Sequence, residues 1–513
     1  MSGSTVCIMI TIIGYMLMMI VIGIIYSRKN KDVSDFYLGG RKLGPLVSAM
    51  SAEASDMSSY LLMGLPGLAY LCGTAEVGWT AIGLAVGTYL NWLFVAKRLR
   101  VYSQECGNAI TIPDFFSNRY RDSKHILMAI SAIVILVFFV PYTASGFSAC
   151  GKLFNSLFGW DYHTAMMISA VIIVSYTSLG GFLAASFTDL IQSVVMTSAL
   201  VILVVFGVNS AGGIDAVIDN AKQTADYIAL TSTVTADGEH VSFGFLNIVS
   251  TLAWGLGYFG MPHILLRFMA IGNKEQVKTS RRIASVWVVI AMGVAVFIGI
   301  IGNKLTADGT LKALTTSSDS ERIVLEMANH MSEHSVVMAL FAGLIFAGIL
   351  ACTMSTADSQ LLAASSSMSE NLVKGVLGIK ISQKVSLIIA RAVLVVIAVL
   401  GVILAWDQNS SVFRVVSFAW AGFGAAFGPL MLTSLFWKRT NKYGAIAGMI
   451  AGGAMVFIWK FAISKLGGAF AIYELLPAFV CSLVTIIVVS LVTGKPDKEI
   501  EEEFDRVAQA MKN

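Results

Sequence analysis

Two carboxylates interrupt an apolar stretch of the chain, SAEASDMSSYLLMGLPG (residues 51–67). Glu53 and Asp56 are three residues apart, so they would share one face of a helix. A charged side chain at membrane depth is expensive unless it lines a cavity, pairs or binds an ion. Hydroxyl side chains flank the pair and helix-weakening residues follow it: Ser51, Ser55, Ser58, Ser59, Gly64, Pro66 and Gly67. The pattern indicates a polar pocket or an unwound turn whose oxygens hold a hard cation such as sodium. The alternative is a buried pair satisfied by its neighbours.

A second polar cluster lies in another apolar run, ILACTMSTADSQLLAASSSMSEN (residues 349–371). Ser355, Thr356 and Ser359 fall within little more than one helical turn, and Asp358 is a third acidic residue inside an apolar span. Small and hydroxyl residues also serve close helix packing in membranes, and this interpretation is preferred for the serines at 365–367. For Ser355 and Thr356, ion coordination is the preferred interpretation.

A third cluster is WGLGYFGMPH (residues 254–263), where glycine and proline weaken a helix. Trp254 and Tyr258 stand one turn apart. An unwound turn lined by aromatic rings would suit a small amphiphilic ligand, and the alternative is an ordinary packing pair. His263 is a lone histidine for which a structural role is preferred over catalysis. Asp189, in AASFTDLIQS, is either a helix-start carboxylate favoured by the helix dipole or an ion ligand.

The elements that must position these clusters are membrane-spanning helices. Of the 513 residues, 56% are hydrophobic and only 13% are charged, whereas soluble proteins average about 25% charged residues. Apolar runs long enough for a bilayer repeat along the whole chain, which predicts an all-α integral membrane protein. The first run is too long for a cleavable signal peptide. We predict thirteen spans, at about 5–27, 44–72, 76–97, 126–150, 162–180, 185–208, 245–268, 283–303, 335–367, 385–405, 414–437, 443–462 and 471–493. The 44–72 and 335–367 segments are long and polar enough to be broken or tilted helices.

The orientation follows from the basic residues. They concentrate in the loops after spans one, three, seven, nine and eleven: Arg28, Lys29, Lys31, Arg41, Lys42, Lys97, Arg98, Arg100, Arg119, Arg121, Lys124, Arg267, Lys274, Lys278, Arg281, Arg282, Lys374, Lys380, Lys384, Lys438, Arg439 and Lys442. The loop 209–244, on the opposite face, has only Lys222. Cytoplasmic loops carry the excess of basic residues, so the N-terminus is expected outside and the C-terminus in the cytoplasm. The net charge of +4 therefore reflects topology and gives no indication of a nucleic-acid partner.

The remaining features carry little chemistry. The six cysteines have no metal-ligand spacing. Cys72 and Cys150 could pair, although isolated thiols are the preferred interpretation. The charged tail 495–513 fits a short amphipathic helix in solution or at the membrane surface. The sequence contains no nucleotide-binding loop, HExxH motif or nucleophile elbow, so a membrane enzyme or sensor has little support, and no cofactor is expected.

Several blocks together resemble a known family. The run SAEASDMSSYLLMGLPG resembles SAGASDMSGWLLMGLPG, a signature of the sodium/proline branch of the solute:sodium symporter family. The resemblance continues through FYLGGRKLGP (36–45), RLRVYSQ (98–104), ITIPDFF (110–116), GGFLAASFTD (180–189), WGLGYFGMPHILLRFM (254–269), MST…SQLL (354–362) and WAGFGAAFGP (420–429). It covers essentially the whole chain with few gaps.

The resemblance implies a LeuT-type core of two inverted five-helix repeats, with one extra helix before it and two after. On this basis residues 1–43 form an extra span and a cytoplasmic loop, 44–210 the first repeat and 211–244 an extracellular loop. Residues 245–437 form the second repeat, 438–494 two C-terminal spans and 495–513 a cytoplasmic tail. Two of the polar clusters then lie on the first helix of each repeat, which agrees with a midplane site between broken helices.

The resemblance also implies a ligand set. The family's sodium site corresponds to backbone oxygens of Ala54, Met57 and Cys352 and to the hydroxyls of Ser355 and Thr356. Asp56 corresponds to the family's carboxylate important for sodium. The substrate pocket is expected at Ser58, Ser59, Tyr60, Tyr142, Trp254, Tyr258 and Pro262.

This chain departs from the pattern at several of these places. Glu53 and Ser59 replace glycines, Tyr60 replaces a tryptophan and Met261 a glutamine. Asp358 stands where a small residue is usual. Because some family members hold a second sodium near an equivalent of Asp189, a second cation site at Asp189, Asp358 and Ser359 is plausible. Glu53 could pair with a cationic substrate group, contribute to ion binding or carry a proton.

The function implied is sodium-coupled uptake of L-proline across the cell membrane by alternating access, with sodium stabilising an outward-open state and each ligand raising the other's affinity. The main alternative is a sodium- or proton-coupled symporter of the same family for another small amino acid or a carboxylate. A channel would differ in showing no uphill accumulation. The expected partners are a small-molecule substrate, sodium and the lipid bilayer. The oligomeric state is left open.

Overall fold

The chain folds into helices from end to end. The computed structural model describes residues 3–27, 33–235, 238–380 and 382–511. The helices are α1 Gly3–Ser27, α2 Val33–Leu38, α3 Pro45–Ser59, α4 Leu65–Cys72, α5 Ala75–Leu90, α6 Lys97–Glu105, α7 Ile112–Arg119, α8 Ile126–Phe158, α9 Tyr162–Ser210, α10 Ile214–Gln223, α11 Phe245–Leu252, α12 Pro262–Ala270, α13 Val277–Ala307, α14 Ser317–Ser320, α15 Ile323–Ser332, α16 Val336–Ser366, α17 Gln383–Leu404, α18 Val412–Phe436, α19 Lys442–Phe461, α20 Leu475–Val492 and α21 Lys498–Ala510. Wider π-helical turns at Tyr60–Gly64, Asn91–Ala96 and Ser367–Val376 extend three of them, and a 3₁₀ segment occupies Ala253–Phe259. Further 3₁₀ turns lie at Gly39–Arg41, Lys274–Gln276, Ile463–Leu466 and Gly468–Phe470.

Ten helices in the described part of the chain are long and apolar enough to cross a bilayer, which agrees with the predicted all-α membrane protein. The other three predicted spans, 44–72, 162–180 and 245–268, correspond to shorter or interrupted helices. Spans 162–180 and 185–208 are one helical run, α9, that bends at Gly181 (φ 66°, ψ −176°), a conformation that glycine adopts readily. The count of thirteen spans stays a prediction. Arg28, Lys29 and Lys31 lie outside the described residues.

The second predicted span is broken, as expected from its polar residues. Ser58 interrupts α3 with φ 48° and ψ −170°, a backbone conformation that costs a residue with a side chain about 1–3 kcal/mol. The π-turn Tyr60–Gly64 follows, and α4 then begins just before Pro66. The break exposes main-chain carbonyls in the middle of the span.

The 335–367 segment, for which a broken or a tilted helix was expected, contains no break, because α16 runs continuously from Val336 to Ser366. Its hydroxyls are satisfied within the helix. Thr353 donates to the carbonyl of Ile349, and Thr356 to that of Cys352, at 3.0 and 3.1 Å. Hydrogen bonds to the carbonyl four residues earlier let polar side chains sit in a continuous helix.

The unwound turn predicted at 254–263 is confirmed. Helix α11 ends at Leu252, the 3₁₀ segment Ala253–Phe259 follows, and Met261 is extended (φ −76°, ψ 108°). Pro262 then occupies the first turn of α12, where its missing N–H costs nothing. Within the described residues, the predicted spans 44–72 and 245–268 are therefore both interrupted helices, and each begins one of the expected repeats.

The interrupted helices lie at the centre of the molecule. Helix α3 packs against α9, α12, α13 and α16, and the 3₁₀ segment Ala253–Phe259 packs against α5 and α18. The backbones of α5 and the 3₁₀ segment approach closely because glycines face each other at the contact: Gly83, Gly87 and Gly255. A Cβ atom at Gly87 would overlap the backbone of Gly255.

Replacing Gly87 with alanine is expected to destabilise the protein by about 1–3 kcal/mol, the usual cost of overpacking a tight core. The substitution would push away the segment that carries Trp254 and Tyr258. The measurement is thermal unfolding of purified protein in detergent, beside Gly293→Ala. Gly293 lies in α13, and a Cβ there would meet no atom of the described residues within 4 Å. An equal melting temperature for both variants would contradict the close contact.

The loop 211–244 is not irregular throughout. It contains α10 and a two-stranded antiparallel hairpin, β1 Ser232–Val234 and β2 His240–Ser242, in which Thr233 pairs with Val241. Cys72 and Cys150 are both free thiols, as preferred from the sequence.

The tail differs from the expectation of a helix in solution or at the membrane surface. Helix α21 docks on the protein, with Ile500, Glu503, Phe504 and Val507 buried. Glu503 forms an ion pair with Arg121 at 2.6 Å, and the Phe504 ring lies 4.8 Å from the guanidinium of Arg98. Burial raises the pKa of Glu503, and Arg121 acts against this rise. The apolar face of this amphipathic helix therefore packs on the protein and not on the membrane.

Candidate functional site

The first group of predicted sodium ligands comes together where α16 crosses the break in α3. The Ser355 hydroxyl lies 2.8 Å from the carbonyl oxygen of Ala54 and 2.8 Å from that of Ala351 in its own helix. Thr356 Oγ1 donates to the carbonyl of Cys352 at 3.1 Å. Two hydroxyls and three carbonyls thus lie close together, and all five residues are buried. Each hydroxyl has lone pairs left for a hard cation, and such oxygens suit sodium.

Met57 belongs to the same break but is less closely joined to this group. The main-chain N–H of Tyr60 points at the carbonyls of Met57 and Ser58. Among the hydrogen bonds of the described residues, neither Ser355 nor Thr356 reaches Met57. The side chain of Met57 lines a small cavity beside the break.

Asp56 faces the second interrupted helix. Its carboxylate oxygen Oδ2 accepts a short hydrogen bond from the Tyr258 hydroxyl, and its carbonyl accepts one from Tyr142 at 3.3 Å. The side chain is 6% exposed. Asn91 fixes the unwound segment by donating to the carbonyl of Tyr258 at 3.0 Å. Asp56 therefore links both breaks and the helix α8.

A cavity of about 10 Å³ lies beside Asp56, close to the volume needed for one water. Its walls are mainly aromatic and apolar, and they come from six separate segments: Asp56, Met57, Tyr60, Leu84, Tyr142, Trp254, Met292, Val416 and Trp420. The Tyr60 and Trp254 rings stack with centroids 5.7 Å apart, and Trp420 Nε1 donates to the carbonyl of Trp254 at 2.8 Å. A small amphiphilic ligand would meet a carboxylate on one side and rings on the other.

A second cavity of about 10 Å³ lies on the other side of Tyr142. Its lining includes Ser58, Ser59 and Thr356. The Ser59 hydroxyl has no hydrogen-bond partner among the described residues. Pro262 is buried at the start of α12 and lines neither cavity. Five of the seven pocket residues expected from the resemblance thus divide between two small cavities that share Tyr142, and Tyr258, like Pro262, lines neither.

Among the described residues, Glu53 makes no hydrogen bond to Ser355 or Thr356. Its Oε1 accepts from Trp92 Nε1 at 3.1 Å, and its Oε2 has no hydrogen-bond partner among the described residues. The side chain is 1% exposed, and none of the ion pairs among the described residues includes it. A buried carboxyl with one free oxygen is costly unless it is protonated or meets a cation.

The possible second cation site holds an arginine. Asp189 Oδ2 accepts from Arg267 Nη2 at 3.2 Å and from the Ser51 hydroxyl at 2.6 Å. Arg267 also makes a short hydrogen bond to Ser359, whose hydroxyl donates to Asp358 Oδ1 at 3.2 Å. The three predicted residues are therefore close, and the guanidinium lies among them.

This position corrects one assignment made from the sequence. Arg267 was counted as a loop cation, yet it is 1% exposed and belongs to α12. Arg267 follows a run of apolar residues in the sequence, so hydropathy alone does not show whether it lies in the helix or in the following loop. His263, one turn earlier in α12, is buried with its ring centroid 5.7 Å from that of Phe139.

A larger cavity leads towards the aromatic walls from the face opposite the basic loops. It measures about 570 Å³, and its lining includes Glu76, Arg414, Phe413 and Tyr473. Tyr473 stacks on Trp254 with centroids 5.0 Å apart, and Phe413 lies 5.6 Å from the Tyr60 ring. These two rings pack on the aromatic walls of the cavity beside Asp56. Sequence reasoning missed both, and the only signal for Trp420 was the block WAGFGAAFGP.

Comparisons with known sequences agree on one family. The model described as "Sodium:solute symporter family" matches residues 36–452. The sodium/proline symporter of Haemophilus influenzae is 42% identical over 509 residues, which cover 98% of this chain and 98% of that protein. The high-affinity proline transporter PutP of Bacillus subtilis is 40% identical over 495 residues, covering 96% and 100% of the two chains.

Solved structures show the same fold. A Na⁺-coupled sialic acid symporter in a substrate-bound outward-open state superposes with a TM-score of 0.78 at 18% identity, covering 96% of this chain and 99% of the other. Mhp1, a nucleobase-cation-symport-1 family transporter, gives a TM-score of 0.54 at 13% identity, covering 93% and 99%. These likenesses concern the fold, and they confirm the predicted LeuT-type architecture.

Proposed function

The chain belongs to the sodium:solute symporter family, and from this premise we propose that it takes up L-proline coupled to sodium by alternating access. The observation that carries the proposal is the adjacency of two features at the break in α3. The carbonyl of Ala54 meets the Ser355 hydroxyl on one side, and Asp56 faces an aromatic-walled cavity on the other. An ion and a substrate bound there would share one distorted segment of backbone.

We propose that sodium binds to oxygens of Ala54, Met57, Cys352, Ser355 and Thr356. Four of these residues already lie together. Met57 would complete the set by turning its carbonyl from the Tyr60 N–H towards the ion. Since Ala54 and Met57 lie on α3 and the others on α16, the ion would draw the two helices together.

Proline would bind in the cavity beside Asp56. Its charged nitrogen suits the carboxylate, and its apolar ring suits the walls formed by Tyr60, Trp254 and Trp420. The carboxylate of the substrate would face Ser58 and Ser59, on the far side of Tyr142. Because each cavity has room for about one water, the walls must move apart before proline enters. Tyr258 and Pro262 would not contact proline directly. Tyr258 would hold Asp56 through its hydrogen bond, and Pro262 would end the unwound turn.

Alternating access would use the two interrupted helices as hinges. Proline would enter from the 570 Å³ cavity past Phe413 and Tyr473, and the ordering of α3 by sodium would raise its affinity. One sodium carried with one zwitterion moves a net charge, which gains about 2.3 kcal/mol per 100 mV. We place the protein in the cell membrane with the N-terminus outside and the large cavity facing outwards. The domain ranges 44–210 and 245–437 are the proposed repeats.

A second candidate is proton coupling, which Glu53 favours. Its free, buried oxygen could carry a proton, and the sodium/proline signature has a glycine at this position. Asp56 and Glu53 are thus proposed as the two coupling carboxylates. A different small substrate is also compatible with Ser59, Tyr60 and Met261, which depart from that signature.

Sealed proteoliposomes test the proposal directly. Sodium and proton gradients are imposed separately, and uptake of labelled proline is followed with unlabelled amino acids as competitors. We expect a sodium gradient alone to accumulate proline. Glu53→Gln, which keeps an oxygen for Trp92, should leave sodium-driven uptake in place. If a proton gradient alone drives uptake and the variant loses it, Glu53 is the proton carrier and sodium coupling is wrong. If another compound competes and proline does not accumulate, the substrate is wrong.

A further inference from the structure

The guanidinium of Arg267 is buried and surrounded by oxygen atoms that accept its hydrogen bonds. Its Nε donates to the Ser51 hydroxyl at 3.1 Å, and its Nη1 donates to the His263 carbonyl at 2.9 Å. Its Nη2 donates to Asp189 and to Ser359. The ring of Phe182 covers one face, with its centroid 5.1 Å from the guanidinium carbon. All three nitrogens are satisfied.

These contacts come from four different helices. Arg267 lies on α12, Ser51 on α3, Asp189 on α9 and Ser359 on α16. The side chain is 1% exposed, and that of Asp189 is 0% exposed. An arginine buried to this degree holds its charge, because a guanidinium is not deprotonated in proteins. The position therefore carries a permanent positive charge supplied by the chain itself.

Two of the oxygens that a second sodium would need already accept hydrogen bonds, whereas Asp189 Oδ1 and Asp358 Oδ2 have no hydrogen-bond partner among the described residues. Asp189 Oδ2 accepts from Arg267 and from Ser51, and the Ser359 oxygen accepts from Arg267. A sodium ion entering here would also stand beside a guanidinium in a dry interior, where like charges repel strongly. The residues present therefore fit a guanidinium better than a second metal ion.

We propose that Arg267 is a built-in substitute for a second coupling cation, so that this protein moves a single sodium with each substrate. The inference rests on the proposed sodium-coupled function and adds its stoichiometry. Asp189 and Ser359 then act as the arginine's partners and not as sodium ligands. Asp358 supplies a further carboxylate whose Oδ2 has no hydrogen-bond partner among the described residues. Removing the arginine would leave two carboxylates and a hydroxyl facing one gap, which is a donor set that sodium accepts.

Sodium binding to the purified protein tests this inference without relying on transport. Equilibrium binding of ²²Na⁺ at saturating proline is expected to give one sodium per wild-type chain, with a Hill coefficient near one. Arg267→Met is expected to bind a second sodium and to raise the Hill coefficient towards two. Adding Asp189→Asn to that variant should lower the affinity for the second sodium at least about tenfold. Arg267→Lys, which keeps the charge, should still bind one sodium per chain.

The matched control is Arg281→Met, which removes an arginine of α13 that lies over the Tyr89 ring and outside this cluster. It should bind one sodium. Two sodium ions bound to the wild type would overturn the inference even if Arg267→Met does not fold, because that measurement needs no variant. Failure of the proposed function would give a different result. Sodium would then not bind to the wild type, or unlabelled proline would not reduce uptake of labelled proline in the proteoliposome assay.

Discussion

Replacing Asp56 with asparagine is expected to weaken proline binding about 10- to 100-fold and to lower the apparent sodium affinity with it. Asparagine keeps the shape and can still accept from Tyr258, so the change removes mainly the charge. A hydrogen bond to a charged group contributes about 1.5–3 kcal/mol, and each 1.4 kcal/mol is a factor of ten. The sodium effect follows because ligands that favour the same conformation lose affinity together.

Binding of labelled proline over a series of sodium concentrations measures both constants. Asp161→Asn is a suitable control, since that carboxylate is exposed at the start of α9 and caps Thr164. Tyr258→Phe supplies a second variant, in which Asp56 keeps its charge but loses its donor, and a smaller effect is expected. Unchanged affinity for both ligands in Asp56→Asn would show that the carboxylate is only a structural partner of Tyr258.

Local patterns in the sequence were sufficient to locate the two breaks. Carboxylates and hydroxyls around Asp56, and glycines and a proline around Tyr258, mark places where a helix is weak and polar. Both places are interrupted in the structure. A similar pattern in α16 accompanies an unbroken helix, in which hydroxyls such as those of Thr353 and Thr356 donate to carbonyls of their own helix. Composition cannot distinguish a hydroxyl that satisfies its helix from one that interrupts it.

Contacts between distant segments were harder to predict. Trp254 stacks on Tyr473, 219 positions later in the chain, and nothing local links the two. Arg267 and Asp189 are 78 positions apart, so their pairing appears only when α9 and α12 meet. The docking of α21 depends in the same way on residues distant in the chain, such as Arg98 and Arg121. The residues implied for the sodium site came from the resemblance, and the sequence by itself offered only Ser355 and Thr356.

The volume of the cavity beside Asp56 also could not be predicted from the sequence. Aromatic residues at Tyr60, Trp254 and Trp420 predict a pocket, but they fit equally well around an open or a closed one. In the structure they enclose a cavity of about 10 Å³, while a cavity of about 570 Å³ lies on the face opposite the basic loops. The sequence therefore predicts which residues form the walls of the cavity but not how closely those walls approach each other.

Substitution of Ser355 distinguishes most clearly between a hydroxyl that binds sodium and a hydroxyl that only packs α16 on α3. Replacing it with alanine is expected to lower the apparent sodium affinity about tenfold, because the substitution removes one proposed ligand and leaves the buried carbonyl of Ala54 without its hydroxyl. Sodium dependence of proline uptake at fixed proline measures the effect. The maximal rate at saturating sodium should fall much less, since the substrate cavity is lined by other residues.

Ser365→Ala is the matched control within the same helix. The Ser365 hydroxyl donates to the carbonyl of Leu362 at 3.0 Å and lies two to three turns of α16 beyond Ser355. It should leave the sodium dependence unchanged. Thr356→Ser, which keeps a hydroxyl, should retain most of the sodium affinity, whereas Thr356→Ala should resemble Ser355→Ala. If Ser355→Ala and Ser365→Ala behave alike, the hydroxyl against Ala54 serves to pack α16 on α3, and sodium must bind elsewhere. A loss confined to residues 355 and 356 would instead tie the ion to the break in α3, the same segment that holds Asp56 against the substrate.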